Sequence, residues 1–85
     1  MNLKRLNQRL HAKRRASERL GLTLNRNDFA ELITMIQDGQ STLERKISLR
    51  QSVRRLEWRG REIRLILVYD CNRHQIVTFL TEDMK

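Results

Sequence analysis

The chain has 85 residues, a size that supplies one hydrophobic core and excludes a second domain. Hydrophobic residues make up 39%, enough for a globular fold rather than a disordered tail, while a single cysteine and two histidines exclude a disulfide framework and a zinc site. The net charge of +8 is uneven, +6 over residues 1–20, −2 over 21–42 and +4 over 43–85, and this predicts attraction to polyanions, RNA or DNA first and acidic protein surfaces second.

The first element is a basic amphipathic helix that ends at Gly21. Leu3, Leu6, Leu10, Ser17 and Leu20 recur at helical spacing, with Ala16 at the margin, and the sequence predicts that this stripe faces the core. On the other side His11, Arg15, Glu18 and Arg19 share a face, and Arg14 adds a further cation. A second helix starts at Asn25 as N-cap, with Asp28 three residues on and Leu24 placed to staple onto Phe29. Its apolar positions Phe29, Leu32, Ile33 and Ile36 follow the helical period, and Gly39 closes it.

After Gly39 the period shifts towards two. Strands are expected near Thr42–Ile47, Ser52–Trp58, Glu62–Tyr69 and Gln75–Thr81, joined by a hairpin turn at Arg59-Gly60 and a longer one over Cys71–His74. The predicted fold class is therefore α+β: two N-terminal helices packed on one face of a four-stranded antiparallel meander, ααββββ, in one domain spanning residues 1–85. In the third strand Ile63, Leu65, Leu67 and Tyr69 point one way and Ile66 and Val68 the other, which makes the face away from the helices a candidate site or partner surface. Apolar runs are far too short for a membrane span, and no apolar stretch follows the charged N-terminus, so a cytoplasmic protein without membrane contact is expected.

Glycine-rich phosphate loops, serine elbows and HExxH helices are absent from the sequence. What remains suits RNA cleavage without metal or other cofactor. Such chemistry needs a proton acceptor for the 2′-hydroxyl, a donor for the leaving oxygen, and cations or hydroxyls around the phosphate. His11 is the candidate base or acid, Arg15 and Arg19 the phosphate clamps, and Thr78, which interrupts the apolar strand IVTFL, the hydroxyl that orients the phosphate. Arg14, Arg54, Arg55, Arg59, Arg61 and Arg64 are candidate nucleic-acid contacts, with Trp58 a candidate for base stacking, although strand alternation splits the arginines between two faces. Tyr69 reads as a packing residue, and His74 and Cys71 as ordinary polar turn residues.

The segments HAKRRASERLGL, EWRGREIRLILVYD and RHQIVTFL, in this order from His11 to Leu80, resemble the small prophage proteins and toxin-like domains of the barnase/EndoU/colicin/RelE superfamily. The resemblance implies a metal-independent ribonuclease fold whose helices cover one sheet face and whose open face cuts RNA. Carried over by position, the helix histidine is His11, the helix arginines are Arg15 and Arg19, and the last-strand hydroxyl is Thr78. Expected partners are then RNA, as tRNA or ribosome-associated mRNA, with DNA, an antitoxin and a second copy of the chain left open. The alternative is a non-catalytic phage accessory or anti-defence protein that binds nucleic acid or a host protein complex through its basic surface.

Overall fold

The computed structural model describes residues 3–84, with side chains from Arg9 to Met84. Helix α1 (Leu3–Leu20) and helix α2 (Arg26–Gln37) precede strands β1 (Thr42–Lys46), β2 (Gln51–Trp58), β3 (Ile63–Asp70) and β4 (Gln75–Leu80), and a short 3-10 turn follows at Glu82–Met84. The strands form one antiparallel sheet in the order β1-β2-β3-β4, so the α+β class and the ααββββ order expected from the sequence are those of the structure.

Helix α2 begins as its sequence demands. The Asn25 side chain accepts the Asp28 N–H and the Asp28 carboxylate accepts the Asn25 N–H, each at 2.9 Å, a complete capping box. At its other end Gly39, with φ +80°, donates to the Ile36 carbonyl while Gln40 donates to Met35, the paired bonds of a Schellman motif. Leu24, Phe29, Leu32 and Ile36 are buried with Leu56, Trp58, Leu65, Leu67, Tyr69, Ile76 and Phe79 in the main core. Phe29 and Phe79 meet edge to face, with ring centroids 6.1 Å apart.

Helix α1 packs along β4, and here the leucine-stripe expectation holds for Leu20 and Ala16, which pack on the core, and is corrected for Leu10 and Ser17. The residues buried in the seam are Ala12 and Ala16, both fully inaccessible, whereas Leu10 is 54% exposed and Ser17 is exposed. The side chains of Leu3 and Leu6 lie outside the described residues. Alanine at both positions, fully buried, allows the close approach of helix and strand that a small side chain permits. Arg19 completes the seam by donating to the Phe79 carbonyl of the edge strand at 2.8 Å.

Two details of the sheet also depart from the sequence pattern. The β2–β3 turn is a four-residue loop, Arg59–Glu62, in which Glu62 rather than Gly60 takes the left-handed conformation, at φ 54°. On the face turned away from α2, Val53, Ile66 and Val68 are buried, with Val77 and Leu80 packed against them, as a second small core. An irregularity in β4 between Ile76 and Thr78 accommodates one extra residue, Val77, and sets Thr78 opposite Val68 on that second face.

Candidate nucleic-acid interface

The six arginines expected at a nucleic-acid surface do not form one. Arg54 lies between Ser52 and Ser41, donating to both hydroxyls at 3.1 Å. Arg55 sits on the opposite face between Glu44 and Glu82, and these carboxylates hold its guanidinium still more firmly protonated than usual, the Glu44 hydrogen bond first. Arg61 stacks 4.7 Å above Trp58 and pairs with Asp28, and Arg64 pairs with Glu57. Arg14 and Arg59 are exposed, on α1 and in the β2–β3 turn respectively. Trp58 offers no stacking platform: it is buried, its indole N–H donates to Glu31 at 2.8 Å, and its ring lies under Arg61. A hollow of about 780 Å³ gathers Arg55, Arg59 and Arg64, but Glu57 also lines it, and two of the three arginines are already neutralised by carboxylates.

The expected catalytic group is arranged around the α1–β4 seam. At about 100° per residue, Arg9 and Leu20 project to one side of the Ala12/Ala16 contact line, and Arg19, Arg15 and His11 project to the other at increasing distance from it. Arg9 lines a groove shared with α2, so the His11 flank is turned away from α2. Thr78 belongs to the sheet face that is also turned away from α2, and its Oγ1 is buried without a hydrogen-bond partner. His11 is exposed, Arg15 pairs with Glu18 at 2.7 Å, and among the described residues no hydrogen bond joins His11 to Arg15, Arg19 or Thr78.

A second arrangement is one that sequence spacing did not reveal. A groove of about 590 Å³ runs between α1, α2 and the β3–β4 turn, with Arg9, Arg26, Arg73 and His74 around it and Phe29, Ile33 and Ile76 among its apolar lining. No carboxylate lines it, and Arg9, Arg26 and Arg73 make no ion pair among the described residues. The four cationic or polar side chains arrive from three separate elements, which explains why no local pattern marks them.

The turn that carries Arg73 and His74 is built rigidly. Asp70, fully buried, accepts the N–H groups of Asn72 and Arg73 on one carboxylate oxygen at 3.0 and 3.1 Å. Cys71 N–H donates to the Arg50 carbonyl at 2.8 Å, tying this turn to the β1–β2 hairpin. His74 is held at φ 52°, a left-handed conformation that costs a residue with a Cβ about 1–2 kcal/mol. Its ring is fixed from two sides, with Nδ1 3.3 Å from Gln37 Nε2 and 3.4 Å from the Tyr69 hydroxyl. Both contacts engage Nδ1 and leave Nε2 without a hydrogen bond among the described residues. Tyr69 thus packs in the core, as expected, and also orients this histidine.

Compared with family models, with curated proteins and with solved structures, the chain has no match. The functional assignment therefore rests on geometry and charge.

Proposed function

We propose that this chain is a small basic RNA-binding protein with the toxin-like, metal-independent ribonuclease type of fold known from phage and prophage proteins, and that it takes RNA phosphates into the groove of Arg9, Arg26, Arg73 and His74. The observation that carries the proposal is the pairing pattern of the arginines. Over the sheet and the β2–β3 turn, Arg55, Arg61 and Arg64 are neutralised by carboxylates, whereas the three arginines of the groove face an acid-free hollow with an apolar lining. Unpaired cations beside apolar surface fit a ligand with anionic phosphates and flat bases.

Fluorescence anisotropy of a labelled single-stranded RNA dodecamer, measured over a salt series, tests this. Three phosphate contacts give a slope of log K against log salt of about −2, and replacing Arg9, Arg26 and Arg73 together by alanine brings the slope towards zero. A triple variant that binds as tightly and as salt-dependently as the parent refutes the groove. A flat salt response in the parent favours the accessory-protein alternative with a protein target.

A second reading, cleavage of the bound RNA, is favoured by one observation: the Thr78 hydroxyl, on the last strand, is buried without a hydrogen-bond partner among the described residues. Total RNA incubated in EDTA with the parent protein and with a His11→Ala, Arg15→Ala variant separates the readings. Cleavage by the parent alone supports catalysis; equal inertness leaves a binding protein.

A further inference from the structure

We infer that the groove between α1, α2 and the β3–β4 turn is an end-binding site, selective for a terminal phosphate monoester of an RNA chain over the internal diesters. This rests on the RNA-binding reading above and deepens it. Three observations carry it: the convergence of the cations, the fixed histidine and the absence of a competing carboxylate.

A surface that tracks a phosphodiester backbone spreads single charges in a row, because each internal phosphate carries one charge and successive phosphates are spaced along the strand. The groove does the opposite. Arg9 comes from α1, Arg26 from the first position of α2 and Arg73 from the β3–β4 turn, so three elements bring guanidinium groups around one hollow instead of along one line. A terminal monoester carries close to two charges near pH 7 and three acceptor oxygens, which is the ligand that several converging donors satisfy best.

His74 adds an oriented imidazole. With Nδ1 engaged by Gln37 and the Tyr69 hydroxyl, Nε2 is the ring nitrogen left for a groove ligand. A glycine would adopt the φ of 52° at lower cost, yet the chain places a histidine there and braces it from α2 and from β3. The half-buried Ile33 gives the terminal nucleoside an apolar surface next to its phosphate. The capping box leaves the Asp28 carboxylate bonded to the Asn25 N–H and paired with Arg61, so it is not aimed at Arg26.

The test uses the full chain and three RNA hexamers of one sequence, with a 5′-phosphate, a 3′-phosphate or hydroxyls at both ends, read by isothermal titration calorimetry. Uridine 5′-monophosphate and inorganic phosphate are followed in parallel by the amide NMR shifts of Arg73 and His74. Expected is a preference of at least tenfold for one phosphorylated hexamer over the hydroxyl-ended one, and which end is preferred separates 5′ from 3′ recognition. That preference falls below twofold in Arg26→Ala and in Arg73→Ala, while Arg73→Lys, which keeps the charge and loses the fork, retains part of it. A His74→Gln variant keeps a hydrogen-bonding group and retains more of the preference than His74→Ala. Equal affinity for all three hexamers overturns the inference and leaves the RNA-binding reading intact. Failure of every RNA to bind while uridine 5′-monophosphate shifts the groove resonances overturns that reading and supports the phosphate site. Silence in both assays overturns both.

Discussion

Replacing Asp70 by alanine is expected to cost about 2–3 kcal/mol, and the estimate follows from what the side chain touches. Its Oδ1 accepts two backbone N–H groups, from Asn72 and Arg73, and bonds to a charged acceptor contribute about 1.5–3 kcal/mol each. Part of that is offset, because Oδ2 is buried without a hydrogen bond, the Arg50 Nε being 3.9 Å away, and removing an unsatisfied buried oxygen recovers about 1–3 kcal/mol. The Asn72 N–H lies in an exposed turn residue, so water replaces some of the lost contact. For a domain of this size the net loss lowers Tm by roughly 8–20 °C. Urea unfolding followed by the single tryptophan, Trp58, which is buried and reports on the core, measures it through Cm at constant m. Asp70→Asn keeps an acceptor for both N–H groups and is expected to cost less than the alanine. A destabilisation below about 0.5 kcal/mol in the alanine variant, or an asparagine variant weaker than the alanine one, refutes the view that this carboxylate anchors the turn.

Ala16→Leu forces three extra carbons into the fully buried α1–β4 seam and is expected to destabilise by about 1–3 kcal/mol or more, checked by the same urea assay. Leu49→Ser, at a position 94% exposed, is expected to change stability by less than about 0.5 kcal/mol, and a larger loss means the β1–β2 hairpin is buried by something outside the described residues. Thr78→Val removes a buried hydroxyl that has no partner and is expected to be neutral or stabilising by up to about 1 kcal/mol; if the protein cleaves RNA through that hydroxyl, the same variant loses activity while gaining stability. The Asp83 carboxylate is held below its usual range, first by the Thr81 hydroxyl and then by its own backbone N–H. A depressed folded-state value stabilises the C-terminal 3-10 turn above the ordinary carboxylate pKa, and that contribution is lost as pH falls through the depressed value. A carboxyl NMR titration of Asp83 with a midpoint at or above the ordinary value contradicts this.

The fold was legible where local chemistry and tertiary packing agree. Asn25, Asp28 and Gly39 fix both ends of α2 by bonds made within a few residues, and the alternation in β2 and β3 survives because their buried side chains alternate between the two cores. The face of α1 was misread at Leu10 because hydrophobicity alone ranks leucine above alanine, whereas the seam is decided by distance. Ala12 and Ala16 let the helix approach β4 and bring Arg19 to the Phe79 carbonyl, while Leu10 is left largely in solvent. The β2–β3 loop falls where the strand bounds put it, after Trp58, but it runs over four residues to Ile63 rather than turning at Arg59-Gly60 alone, and Arg61 is then spent on Trp58 and Asp28.

The candidate site was harder to see, because an arginine's availability depends on partners far away in sequence. Arg55 is quenched by Glu44 and Glu82, 11 and 27 residues away, whereas Arg9, Arg26 and Arg73 are left free by what does not surround them. His74 reads as a turn residue until Gln37, one helix away, and Tyr69, on the preceding strand, are found holding its ring. Two histidines therefore stand in different situations. Both are exposed, but His11 sits on a helix flank among residues that sequence spacing does bring to one side, whereas His74 touches Gln37 and Tyr69 at a groove that spacing does not reveal. A ligand needs converging donors more than a high local count of arginines. On that criterion the groove outranks both the larger hollow over the sheet and the cation-rich surface of α1, since among the described residues it is there that guanidinium groups without ion pairs, an oriented imidazole and apolar surface meet.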